Sequence, residues 1–84
     1  MNMQFNSILS IILVPQIVRL IEEKEGLDDI GAINEFYKSK TYSLLEKEDT
    51  GLWHYSSLTL YHIWKEEKVT GTIIFPEESA WVRN

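Results

Sequence analysis

The chain has 84 residues, a formal net charge of -5 and no cysteine. A chain this short buries only about 60–65% of the surface its unfolded form exposes, so it has one modest core, and the missing thiols exclude a disulfide scaffold, a thiolate metal site and a cysteine nucleophile. The acidic balance argues against a general nucleic-acid binder, which requires clustered Lys and Arg, while 44% apolar and 25% charged residues exclude a disordered composition.

The first helical pattern runs from Ser7 to Glu25. From Leu13 onward, Leu13, Ile17, Leu20, Ile21 and Lys24 share one stripe at helical spacing, with Val14 and Val18 on its edge. Ile8, Ile11 and Ile12 project to the opposite side of the same ideal helix. Two explanations stand. Pro15 kinks or restarts the helix and re-aims the first turns, or the second apolar face meets another chain. The run Ile8 to Val18 is shorter than the roughly 20 apolar residues that span a bilayer. It also lacks the basic flank and small-residue cleavage site of a signal peptide. A soluble cytoplasmic protein, away from membranes, is therefore expected. Gly26 supplies the C-terminal stop.

A second helix is expected over Asp28 to Lys38, with acidic residues at its start and Ile30, Ala32, Ile33, Phe36 and Tyr37 as its apolar face. Ser39 caps a third, Lys40 to Lys47, which buries Tyr42, Leu44 and Leu45. Asp49-Thr50-Gly51 is a turn, with Gly51 at positive φ. A fourth helix begins at Ser56 or Ser57 and runs to about Thr70, with Leu60, Tyr61, Ile63 and Trp64 on one face and Thr59, His62, Lys65 and Glu66 on the other. Gly71 ends it. Thr72-Ile73-Ile74-Phe75 is strand-like but has no partner strand in the chain. It either pairs with another chain or lies as an extended arm over the helices. Pro76-Glu77-Glu78 opens a last helical turn, and Ser79 to Asn84 is a loosely held tail.

The segment Phe36 to Glu78 carries F-Y-x-S-x-x-Y-x-x-L, then E-x-T-x-L-W-H-x-S, then L-Y and T-G-x-I-x-x-P-E-E. With the upstream L-V-P-Q-I-V-x-L-I it resembles a group of small, functionally uncharacterised bacterial proteins, mostly from Firmicutes. The resemblance covers Leu13 to Glu78. It implies a small stand-alone protein, and some members look like the non-toxic partner of toxin–antitoxin gene pairs. It brings no catalytic residues.

Several constellations have both a functional and a structural reading. Trp53-His54-Tyr55 follows the turn, and Phe36, Tyr37, Tyr42, Tyr61 and Trp64 are expected to converge near it. Such rings either fill a small core or form a binding patch. His62 and Glu66 share a helix face, but the H-E-x-x-H spacing of zinc sites is absent. No metal or cofactor is expected. Ser56 and Ser57 lack a nucleophile elbow and read as helix caps. The acidic runs Glu22-Glu23-Lys24-Glu25 and Glu46-Lys47-Glu48-Asp49 are solvated faces, or a surface complementary to a basic partner. Thr72 to Phe75 is the best interaction segment by strand addition.

These readings converge on an all-α fold: a single domain over residues 1–84, a compact bundle of about four short helices with an extended C-terminal arm. Its expected core holds Leu13, Ile17, Leu20, Ile21, Ile30, Ile33, Phe36, Tyr42, Leu45, Leu60, Ile63 and Trp64. The expected function is a non-enzymatic protein-interaction module, antitoxin-like by resemblance, that occludes a partner protein, with a co-encoded one as the candidate, through Trp53, His54, Tyr55, Ile73, Ile74 and Phe75. A homodimer through Ile8, Ile11 and Ile12, or through Thr72 to Phe75, is the accompanying expectation. The alternative is a small-ligand domain walled by Tyr37, Trp53, Tyr55 and Trp64. A helix-turn-helix regulator comes third, with Lys38, Lys40 and Lys47 as its only basic cluster.

Overall fold

The computed structural model describes residues 3–75. The expected turn at Pro76 and the tail Ser79 to Asn84 lie outside the described residues. The architecture is an all-α bundle in the order α1 (Met3–Ser7), a π-helical segment (Ile8–Leu13), α2 (Val14–Glu25), α3 (Asp29–Tyr37), α4 (Lys40–Leu45), two single 3-10 turns (Glu48–Thr50 and Leu52–His54) and α5 (Ser57–Thr70).

The first three segments form one continuous helical rod, so the first helix starts earlier than Ser7 and does not break at Pro15. The π segment resolves the pattern conflict. The Val14 N–H donates to the Leu9 carbonyl, five residues back, and this wider turn advances the chain through a smaller angle per residue than an α-helix. It brings Phe5, Leu9 and Leu13 onto the same buried side as Ile17 and Ile21. It also precedes Pro15, whose ring would clash with the carbonyl four residues back in a tight α-turn. The buried stripe is rotated from the expected one. Val14 and Val18 are inside, Leu20 is half-buried and Lys24 is exposed. Ile8 packs partly against the core, while Ile11 and Ile12 stay outside at 69% and 48% exposure.

Gly26 ends α2 at φ 71 and Gly71 ends α5 at φ 80, where a Cβ would be strained. Asp28 caps α3 by accepting from the Gly31 N–H at 2.8 Å. Of the face expected on α3, only Ala32 and Phe36 are buried. Ile30 is 70% exposed and Ile33 38%, which corrects their place in the expected core. The physical reason is angular: with Ala32 and Phe36 turned inward, Ile30 and Ile33 lie about 160° and 100° round the helix from Ala32 and face out.

Helix α4 is shorter than expected and ends at Leu45. Its N-terminus is capped twice. Ser39 Oγ accepts from the Tyr42 N–H at 3.1 Å. The Glu67 carboxylate, from α5, accepts from the Lys40 N–H at 2.9 Å, the Thr41 N–H at 3.0 Å and the Thr41 hydroxyl at 2.7 Å. Thr41 is fully buried by this arrangement and displaces Tyr42 and Leu44 to half-buried positions.

Helix α5 starts at the Ser56 cap, whose Oγ accepts from the Thr59 N–H at 3.2 Å. Leu60, Tyr61, Ile63 and Trp64 are all buried as the pattern predicts. They meet the inner stripe of α2, while Glu67 reaches α4. Glu25 clasps α2 to α5: it accepts from Tyr61 Oη at 2.6 Å and from Lys65 Nζ at 2.8 Å. Burial first, and then the Glu25 hydrogen bond, push the Tyr61 hydroxyl up to about 12. Residues 72–75 leave α5 without helix or strand structure; Ile73 rests against the core, and Ile74 and Phe75 are half-exposed.

Candidate functional site

The turn after α4 is built by one hydroxyl. Thr50 Oγ1 donates to the carbonyls of Leu44 at 2.7 Å and Lys47 at 2.9 Å, and accepts from the Leu52 N–H at 3.3 Å. The two 3-10 turns around it bury Leu52 and set Trp53 on the outer edge of the core. Trp53 Nε1 donates to the Glu48 carbonyl at 3.0 Å, and the Trp53 ring meets Phe5 edge-on at 5.3 Å. His54 is exposed and lies over Trp53, with ring centroids 4.1 Å apart.

The C-terminal arm returns to this turn. Phe75 lines a shallow cleft with Thr50, Gly51, Leu52 and Tyr55. The structure therefore brings Tyr55 and Phe75 together, with Trp53 and His54 next in the chain. Ile73 is committed to the core edge, whereas Ile74 and Phe75 expose about half their surface, at 48% and 49%. The acidic run Glu46 to Asp49 is exposed and adjoins the same turn. The result is a small apolar and aromatic surface with an acidic margin.

The other aromatic rings do not converge here as expected. Tyr37 stacks on Tyr42, with ring centroids at 4.5 Å and planes 6° apart, and Phe36 sits edge-on to both. Tyr61 and Trp64 form a separate inner pair. The Trp64 indole N–H donates to the Glu35 carbonyl at 3.4 Å. Tyr37, Tyr55 and Trp64 line three different clefts, so the rings proposed as walls of one ligand pocket face different surfaces. The reason is topological: α3 and α4 hold Tyr37 and Tyr42 together, whereas the 3-10 turns hold Trp53 and Tyr55.

Two further clusters carry charge. The first is the cleft lined by Glu35, Lys38, Ser39, Trp64, Glu67 and Lys68. Glu35 bridges Lys68 at 3.0 Å and Lys38 at 3.1 Å, and these hydrogen bonds, Lys68 first, hold its carboxyl below the ordinary value. Lys68 also sits 5.7 Å from the Trp64 ring centre. Lys38 is thus paired with Glu35, while Lys40 and Lys47 are exposed. Burial alone would raise Glu67, but the bonds from Lys40, and then from Thr41, outweigh it and leave the carboxyl lowered.

The second is a cleft of about 400 Å³ between α2 and α3, lined by Val18, Arg19, Glu22, Asp29, Ile33 and Tyr37 among others. The hydrogen bond that a protonated Glu22 donates to the Asp29 carboxylate, and then desolvation, raise Glu22 above its ordinary value. His62 is exposed and edge-on to Tyr61 at 5.3 Å. Among the described residues, no group of three or more His, Asp or Glu side chains is placed to hold a metal.

Sequence reasoning missed the exposed Ile30, Ile33 and Tyr37 side of α3. Their i, i+3, i+7 spacing signals a second helix face, but that spacing also describes a buried stripe. The rod Phe5–Glu25 is long and apolar enough to cross a bilayer, at 21 residues and a mean hydropathy of 1.5. The shorter run Ile8 to Val18 did not show this, because the helix begins earlier. Its inner stripe is used as core against α3 and α5. No family model, no curated protein and no solved structure matches the chain.

Proposed function

We propose that the protein is a non-enzymatic interaction module that acts by occluding a partner protein, in the manner of an antitoxin. The observation that carries this reading is the surface at the 3-10 turns. Ile74 and Phe75 hold about half their area in solvent, at 48% and 49%, and Phe75 shares a cleft with Tyr55. Aromatic and aliphatic side chains of this kind supply the central energy of protein interfaces. The acidic margin Glu46 to Asp49 suits a basic partner, since complementary charge speeds encounter and excludes wrong partners. In this reading Trp53 and His54 form the rigid shelf, Tyr55 and Phe75 the contact, and Ile73 the anchor that positions the arm. A cytoplasmic location belongs to the same proposal. A ligand-binding role is less well supported, because the rings it requires face separate clefts.

The test is co-expression with the product of the neighbouring gene, followed by purification under native conditions. The expected result is a stoichiometric complex that Phe75→Asp and Ile74→Asp dissolve while the helical content stays intact. Recovery of the unaltered protein alone, or a complex indifferent to both substitutions, overturns it.

A further inference from the structure

The C-terminal arm carries a second kind of binding group, its own backbone. Thr72 is still tied to the end of α5: its N–H donates to Thr70 Oγ1 and its carbonyl accepts from the same hydroxyl, both at 3.1 Å. Beyond it the bonding stops. Residues 73–75 leave α5 without helix, turn or strand. Among the described residues, no hydrogen bond engages a backbone group of Ile73, Ile74 or Phe75. Three N–H and three C=O groups are therefore open to a partner.

Unpaired backbone groups in solvent are ordinary, but these are held in place. Ile73 rests against the core, Phe75 lines the cleft with Thr50 and Leu52, and Ile74 between them is exposed. Side chains that alternate in this way have the period of an extended strand. The residue types agree: Thr72, Ile73 and Ile74 are β-branched and Phe75 is aromatic, and both kinds favour a sheet. Native chains blunt an unpaired edge with Lys or Pro, and residues 72–75 contain neither. Pro76 follows, and its missing N–H bounds any ladder at Phe75.

The described residues contain no strand that could fill this edge. What complements free N–H and C=O groups on a β-branched segment is the edge of another chain's strand. Charge indicates which chain supplies it. The exposed acidic run at residues 46–49 adjoins the same turn, and its one cation, Lys47, donates back to the Ser43 carbonyl at 3.2 Å. A second copy would bring a like acidic margin to the contact, whereas a strand flanked by Lys or Arg finds its counter-charges there.

We propose that the arm binds by strand addition: an extended, basic-flanked segment of the partner protein pairs backbone to backbone with residues 73–75. This rests on the occlusion reading and gives its partner a structural class. The anchored Ile73 and Phe75 lower the ordering cost of the pairing. Residue-resolved amide exchange tests it, on the full chain alone and in complex with the product of the neighbouring gene. Successive strand residues aim their N–H groups at opposite edges, so one-sided pairing protects every second amide. The expected result is fast exchange at all three amides in the lone chain and alternate protection in the complex. Either Ile74 slows by about a hundredfold while Ile73 and Phe75 do not, or the reverse. A complex in which all three amides stay fast, or all three slow together, overturns strand addition and leaves occlusion standing. Failure of any complex to form overturns both. Alternate protection that appears in the lone chain as its concentration rises overturns the proposal in favour of a second copy.

Discussion

The N-terminal rod and helix α5 are both apolar helices that meet at the centre of the molecule, yet they relate to their sequences differently. In α5 the central apolar residues Leu60, Tyr61, Ile63 and Trp64 share one helical face and each is at most 4% exposed, while Leu58 and Val69 near its ends are outside. In the rod, apolar residues occur all round, and the chain must decide which to bury. It does so with a local change of helical pitch, so that Leu9 and Leu13 go inside and Ile11 and Ile12 do not. A single period read along the centre of α5 finds the buried residues, whereas one read along the rod lands on a face rotated from the buried one. Helical patterning specifies burial where the pitch is constant, and loses its phase where the pitch changes.

The sharpest way to break α5 is Trp64→Ala. It removes a buried ring, its hydrogen bond to Glu35 and its contact with Lys68. We expect a loss of about 3–5 kcal/mol, read by urea denaturation. In the rod the effect should depend on the side. Ile17→Ala, at a fully buried position, should cost about 2–5 kcal/mol. Ile11→Ala should change the stability of the monomer by no more than about 0.5 kcal/mol. Equal costs at Ile17 and Ile11 would show that the π segment does not set the phase described here.

Glu67→Gln tests how α5 holds its neighbour. The amide keeps the shape, but its one oxygen can keep only the two Thr41 bonds while its NH2 meets the Lys40 N–H, so a loss of about 1–2 kcal/mol is expected. The smallest effects should come from pH. Glu25, Glu35 and Glu67 are held below the ordinary carboxyl value of 4.5 in the fold. A carboxyl depressed by folding stabilises above its unfolded value and loses that contribution as pH falls through its folded value. Glu22 is raised, so its contribution has the opposite sign. Melting temperature should therefore be flat near neutrality and fall on acidification below 4.5. Tyr61 is raised from 10.0 to about 12, so its contribution is complete below 10 and is lost as pH climbs toward 12. Tyr61→Phe should blunt that alkaline loss, which a scan of melting temperature will show.

Much of the fold is legible in the sequence, because the punctuation is strong. Asp28, Ser39 and Ser56 cap the helices they precede, and Gly26, Gly51 and Gly71 adopt the positive φ that their positions suggest. What escapes is what depends on distant partners. Thr41 is a buried polar residue only because Glu67 lies across from it, 26 residues away. Ile30 and Ile33 look like core until packing turns the Ala32 and Phe36 side of α3 inward and leaves them outside. The candidate surface is legible in part. Tyr55 and Phe75 do share a cleft, but Tyr37 and Trp64 do not join them, since which rings meet is settled by the topology of the short helices and not by composition.

The double cap on α4 has a consequence for how the molecule opens. A helix of six residues is too short to persist by itself in water. Two of its first amides, at Lys40 and Thr41, are satisfied by a carboxylate on α5. Helix α4 therefore forms only while α5 is docked, and the two should open as one cooperative unit. Amide hydrogen exchange at Lys40 and Thr41 should follow the undocking of α5, so the least self-sufficient helix should report on the best-buried one.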